Sequence, residues 1–306
     1  MIIEKMAGDL GLKAGFIHSF ARGASYAYKS YPIRKRGGGA RIIDHPSKQL
    51  KGMQRWFLEY VIQDKLPVHA AATAYQKHKS ILDNASAHAQ SKYLLRMDCE
   101  GFFPSIKEAD MRAFIQDRPT FFDGWTAFDI DIFCMIVFKQ SRLTIGAPTS
   151  PAISNVLCFD LDSSLAALCA KRGVTYTRYA DDLFFSAVQP NILRPLEAEV
   201  GAIVTGLKIP AGLKINAAKT RHSSKRRARK VTGIVLGSDQ VPHVGRPLKR
   251  KIRALIHKVD SLDIRARTKL AGFLAYATGF DGDFMNSLIM KYGHGPVRKA
   301  RDPKIT

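Results

Sequence analysis

Acidic residues are in short supply. The 306-residue chain carries 26 Asp and Glu against 48 Lys and Arg, a formal charge of +22. Such an excess repels itself in a compact fold and is relieved by a polyanion, so nucleic acid is the first partner to consider and an anionic membrane the second. Long apolar runs are missing as well. No stretch approaches the roughly 20 uncharged apolar residues of a spanning helix, which leaves the membrane reading without support. The opening MIIEKMAGDLGLKAGF is too polar for a secretory leader. Cysteine is scarce: Cys99, Cys134, Cys158 and Cys169 form no CxxC pair and have no His at zinc spacing. That pattern argues against a zinc module and a disulfide framework, and reads as reduced core residues of a cytoplasmic protein. Repeats and low-complexity linkers are lacking too. Apolar residues are plentiful at 46%, enough for a sizeable core.

Along the chain, residues 1–30 read as short helices. SYPIRKRGGGARIIDHP follows, with two strand-like runs flanking three glycines: a basic hairpin with a mobile tip. A helix is expected from about Ser47 to Lys65, with Leu50, Met53, Phe57, Leu58 and Val61 at helical spacing. Tyr93–Met97 reads as a buried strand, residues 108–142 as helical, and Pro151–Cys169 as one long apolar helix. VTYTRY and LFFSA form two strands around a YADD turn. PLKRKIRALIHKV and RARTKLAGFLAYA are basic amphipathic helices. This order predicts an α+β core with a helical C-terminal subdomain.

The residues that carry chemistry are carboxylates. Asp98 follows one apolar strand, and Asp181–Asp182 sit at the tip of a hairpin. If these strands are neighbours, three acids converge, a costly cluster unless Mg²⁺ fills it. Two divalent ions can activate a hydroxyl and stabilise a leaving oxygen, as phosphoryl transfer requires. The competing reading of an Asp-Asp pair is an Asx-type turn. The flanking hairpin, the second Asp-bearing strand and the basic chain weigh against it.

Here the chain resembles a known family. YADD after TYTR, preceded by a DxxxFFPSI stretch and by GAPTSP, is similar to a reverse transcriptase palm over about Pro32 to Gly237. AYQKHKSILDNASAHAQ holds an NAxxH pattern at Asn84, Ala85 and His88, and RKVTGIVLG holds VTG at Val231, Thr232 and Gly233. Both resemble marks of bacterial retron reverse transcriptases. The resemblance implies a right-hand fold. Fingers would span 1–92, the palm 93–107 and 141–236 with 108–140 inserted, and a short helical thumb with a basic tail 237–306.

It also implies roles. Asp98, Asp181, Asp182 and the backbone carbonyl of Cys99 would hold two Mg²⁺. The glycine-tipped hairpin would close over the triphosphate through Arg41 and Lys35, with Arg34 and Arg36 as alternatives to Lys35. Phe103 would exclude a 2′-OH by packing on the sugar, unless it is simply a core ring like Phe102. Gly146 and Ala147 would let backbone approach the nucleotide; the family's usual Gln before that Gly is Ile145 here. Lys219 would serve the pyrophosphate leaving group. Seven basic residues lie among the twelve from Lys219 to Lys230. Arg226 and Arg227 there, with Asn84, His88, Val231, Thr232, Gly233, Lys249 and Lys251, would hold RNA or DNA. Core packing is the competing reading for His88. Leu248, Ile252, Leu255 and Ile256 would pack on the palm or along a duplex, and the tail KYGHGPVRKARDPK would be flexible without RNA.

The function so implied is RNA-templated DNA synthesis from deoxynucleoside triphosphates. The template would be a dedicated noncoding RNA, primed at an internal guanosine 2′-OH. The product would be branched RNA–DNA (msDNA), made in an anti-phage system with an effector or toxin protein and open to a higher-order assembly. Rivals are a general, group II intron or diversity-generating reverse transcriptase, and an RNA-binding scaffold that restrains a toxin.

Overall fold

The computed structural model describes residues 2–35 and 38–302. The first third contains α1 (Ile2–Leu10), α2 (Ala14–Arg22), β1 (Tyr28–Arg34), β2 (Ala40–Pro46), α3 (Lys48–Phe57), α4 (Ile81–Ser86) and β3 (Tyr93–Asp98). Next come α5 (Phe102–Ser105), α6 (Glu108–Asp117), α7 (Ala127–Val137), α8 (Ser150–Leu157), α9 (Phe159–Lys171), β4 (Thr175–Tyr179) and β5 (Asp182–Ala187). The remainder holds α10 (Leu193–Thr205), β6 (Arg221–Ser224), β7 (Arg229–Val231), β8 (Ile234–Leu236) and β9 (Pro242–His243). It ends with α11 (Arg246–His257), α12 (Ile264–Thr278), α13 (Gly282–Tyr292) and α14 (His294–Arg301). This is the α+β mixture expected. Among the described residues no single helix is long and apolar enough to cross a membrane.

The chain divides into two compact units. The first comprises Met1–Lys79, Leu95–Phe185 and Asn191–Arg221; the second comprises Ser80–Leu94, Ser186–Pro190 and His222–Thr306. One sheet has the strand order β4-β5-β3-β6. The first unit also carries the β1–β2 hairpin, in register from Tyr28 opposite Pro46 to Arg34 opposite Ala40. Its core includes an aromatic chain, with Phe57 on Phe133, Phe133 on Trp125 and Trp125 on Phe122, at centroid distances of 5.0, 5.5 and 5.3 Å. In the second unit β7, β8 and β9 form an antiparallel sheet, and α11 to α14 close over Ile252, Ile256, Leu270, Leu274, Phe284 and Leu288.

Three local expectations are corrected. The run after Ser150 is two helices bent by 50°, not one. Asp160 and Asp162 stand in the first turn of α9, where acids complement the positive end of a new helix. The apolar face of α11 turns inward: Ile252 and Ile256 are buried in the helical core, and Leu248 and Leu255 pack against it. They are therefore not available to a palm or a duplex. The basic tail is helical through Arg301, anchored by buried Val297 and Ala300; Pro303 and Lys304 lie outside the described residues.

Candidate active site

Asp98 ends β3 and is 4% exposed. The turn between β4 and β5 puts Ala180 in the left-handed region at φ +56, which swings the chain so that Asp181 and Asp182 follow at once. The Cys99 amide donates to the Asp181 carbonyl at 2.8 Å, so the two acid-bearing segments are joined through backbone. On the other side of Asp98, the Glu100 amide donates to the Lys214 carbonyl and the Asn216 amide to the Asp98 carbonyl, both at 2.8 Å. That pairing delivers Lys219, whose Nζ lies 2.8 and 3.0 Å from the two Asp98 oxygens. Arg96 grips Asp182 through Nε and Nη2, at 2.9–3.0 Å.

The acids are electrostatically uncomfortable. Burial pushes the Asp181 carboxyl above its ordinary range, and the charge of Asp98 adds to the shift. Burial also raises Asp182, against the pull of Arg96 and with repulsion from Asp181 and Asp98. Among the described residues no three acids, histidines or cysteines are gathered as a ready metal cage; the cations on Asp98 and Asp182 occupy two of the three carboxylates. Three acid side chains that repel one another, with Asp181 on the wall of a cavity, are nonetheless a donor set that suits hard divalent ions.

That cavity has a volume of about 490 Å³. Lys35 and Arg41 of the hairpin line it with Lys219, Asp181, Cys99 and Phe103; Arg36 lies outside the described residues. Phe103 and Phe102 both line this space, and Phe102 is the more deeply buried of the two at 5% exposure. Several lining residues were not legible as site residues: Ser30, Asp44, Tyr75, Lys139 and Arg142. Lys139 is neutralised by Asp44 at 2.6 Å, and Ser30 donates to the same carboxylate. In the hairpin register Ser30 opposes Asp44, and strand alternation then puts Ala40, Ile42 and Asp44 on one face. That alternation is the signal that was available.

Gly146 and Ala147 do not line the cavity. The Asp44 amide donates to the Ile145 carbonyl at 2.8 Å, and a Cβ on Gly146, at φ +127, would stand 2.5 Å from the Asp44 carbonyl oxygen. The glycine admits strand β2; Ala147 is buried beside it at 3% exposure.

Behind the YADD turn lies a polar network absent from the sequence reading. Arg178 has no exposed surface and makes a two-point pair with Asp162, Nε–Oδ1 at 2.8 Å and Nη2–Oδ2 at 2.7 Å. It also donates to Asn155 and to the Ala180 carbonyl, while the Tyr176 hydroxyl donates to Asp162. Each polar group thus finds a partner, as burial demands.

In the second unit the motif residues sort by burial. Arg226 and Arg227 are exposed in the turn between β6 and β7, and Lys251 is exposed with its Nζ over the Phe273 ring. Asn84, His88 and Val231 have no exposed surface, so their side chains cannot reach RNA and the expectation of contact is corrected. His88 Nδ1 lies 2.7 Å from Ser186 Oγ, and burial holds its pKa down to about 3, so the ring is neutral. Arg229, counted within the basic run, is 1% exposed and donates to the carbonyls of His88, Ala89, Ser91 and Gly237. Thr232 donates to the Ile81 carbonyl at 3.1 Å, and Gly233 is exposed at φ +91. The NAxxH and VTG segments are therefore fastened to each other. Lys249 is not free for phosphate: it pairs with buried Asp281 at 2.8 Å. All four cysteines are buried and free, and burial pushes the thiols of Cys134, Cys158 and Cys169 up to about 12.

The reverse transcriptase (RNA-dependent DNA polymerase) family model matches residues 33–236. The retron Ec86 reverse transcriptase of Escherichia coli is 31% identical over 91% of this chain and 86% of its own length. The retron Ec83 enzyme of the same species is 32% identical over 90% and 89%. A solved telomerase from Candida albicans, in complex with a fragment of telomeric RNA, aligns at TM-score 0.49 and 11% identity over 90% of this chain; the chain spans 61% of that one. By family match and by identity over nearly its whole length, this chain belongs to the retron reverse transcriptases and is an RNA-directed DNA polymerase.

Proposed function

We propose that the chain copies a dedicated structured noncoding RNA, starting from the 2′-OH of an internal guanosine, and leaves a branched RNA–DNA hybrid, msDNA. The observation that carries the reading is the junction of Asp98 with the YADD turn beside a cavity rimmed by Lys35, Arg41, Arg142 and Lys219. Asp98, Asp181, Asp182 and the Cys99 carbonyl would hold two Mg²⁺. Bound there, the ions would activate the attacking hydroxyl and offset charge on the leaving oxygen. Lys219 pairs with Asp98 and Arg96 with Asp182.

The remaining roles belong to the chain itself. Lys35 and Arg41 draw the triphosphate by charge, and Arg41 adds a planar fork. Phe103 presses on the sugar and leaves no room for a 2′-OH. Lys219, close to Asp98, donates a proton to departing pyrophosphate. Arg226, Arg227 and Lys251 bind phosphates, and the Thr232–Gly233 turn meets structured RNA. The branched product acts with an effector protein in anti-phage defence, in the bacterial cytoplasm.

Sequencing the nucleic acid that copurifies with the chain expressed from its own locus, before and after debranching, tests this. A discrete covalent hybrid is expected. Heterogeneous cellular RNA with unbranched DNA would favour a general reverse transcriptase instead.

A further inference from the structure

We propose that Tyr75 is a specificity-determining residue whose ring, with that of Phe103, forms the apolar wall against which the nucleoside part of the incoming deoxynucleotide packs. The inference rests on the polymerase reading above. Tyr75 lines the same cavity as Asp181 and Lys219 and is 48% exposed, a large open fraction for an aromatic side chain. Its centroid lies 6.3 Å from that of Phe103, with the planes inclined by 40°, so the two rings pack side by side as one wall of the cavity.

The placement is built, not incidental. Tyr75 sits at φ +61, a left-handed conformation that a bulky residue holds only when its surroundings impose it. Here those surroundings are hydrogen bonds. The Arg178 amide donates to the Ala71 carbonyl, the Thr73 amide to the Arg178 carbonyl, and Asn155 to the Ala74 carbonyl, all at 2.8 Å. The loop that carries Tyr75 is thereby tied to β4, three residues before Asp181. The cavity then has a division of labour. Lys35, Arg41 and Arg142 supply charge for phosphates, and Tyr75 with Phe103 supplies rings for the nucleoside, whose flat base has a face for stacking.

The test uses the full chain adding one deoxynucleotide to a defined DNA primer on an RNA template, with KM and kcat measured separately. Tyr75→Gly removes the ring and accepts the positive φ without strain; Tyr75→Phe keeps the ring. Loss of stacking predicts a KM for the deoxynucleotide raised about tenfold in Tyr75→Gly. The kcat should change less than about threefold, and Tyr75→Phe should restore KM to within about twofold of the parent. An unchanged KM in Tyr75→Gly, or a fall in kcat shared by both variants, overturns the proposal while leaving the polymerase reading intact. Failure of the parent chain itself to add a nucleotide would overturn both.

Discussion

The cavity in the first unit and the motif cluster in the second handle polar groups in opposite ways. Around the cavity, Asp181 and Asp182 are held above their ordinary pKa by burial and by like charge, and Tyr75 keeps a left-handed backbone. In the second unit, His88, Asp281 and Lys249 are each matched by a partner inside the fold. Mutually repelling acids beside a cavity mark a candidate ligand site, whereas buried groups with partners mark structure. Two motifs of equal visibility in the sequence, YADD and NAxxH, fall on opposite sides of that line.

The largest effect is expected at the acids. Asp181→Asn with Asp182→Asn should lower primer extension by at least about 10³-fold, roughly 4 kcal/mol of transition-state stabilisation. The same change should raise the melting temperature of the metal-free protein by about 2 °C. The sign follows from linkage. Both carboxyls have folded-state pKa values above their unfolded ones, so the folded state binds more protons. Ionising them costs stability as pH rises from the ordinary carboxylate range through the raised values, and Asn removes that cost. Melting scans of the metal-free chain across acid pH check it.

Next in size is the buried pair. Asp162→Asn leaves the Arg178 charge without its counterion and should cost about 3–5 kcal/mol, read as a lower urea midpoint. Gly146→Ala should cost about 2 kcal/mol, since its Cβ would meet the Asp44 carbonyl and the positive φ disfavours a side chain. Equilibrium unfolding of that variant decides it; a neutral outcome would mean that β2 is free to withdraw.

In the second unit the effect is one of pH. His88 has a folded pKa of about 3, far below its ordinary 6.5. Its contribution to stability is complete above about pH 6.5 and is lost as pH falls from there toward 3. His88→Gln should flatten that part of the stability–pH curve, whatever it does to stability at neutral pH. Smallest is the salt response: Arg226→Ala with Arg227→Ala should reduce the slope of log affinity for RNA against log salt by roughly 1.5–2, measured by filter binding at several salt concentrations.

Much of the site was legible because its residues are local and periodic. Asp98 closes an apolar strand and the Asp pair sits in a hairpin turn, so each was visible by its own local pattern, and the resemblance to a reverse transcriptase palm implied that they meet. What escaped depends on distant partners. Arg178 reads as an ordinary strand cation until Asp162 and Asn155, from two other helices, are seen to meet it. Tyr75 lies in a polar loop without periodicity, and only its ties to β4 reveal its address. Arg229 looked like its exposed neighbours because a run of charge carries no sign of which member turns inward. Gly146 was read as making room for a nucleotide, and nothing in the sequence signalled that a strand of the same chain comes within contact of it.

The central claim is that Asp98 and the YADD pair together hold divalent ions for nucleotide transfer. Its most direct test counts Mn²⁺, standing in for Mg²⁺, bound at equilibrium by the full chain with RNA template, a non-extendable DNA primer and matching deoxynucleotide. The account predicts two ions per chain, with both binding steps weakened at least about tenfold by Asp98→Asn. Equal Mn²⁺ binding by the parent chain and by the variant with all three acids changed to Asn would contradict it.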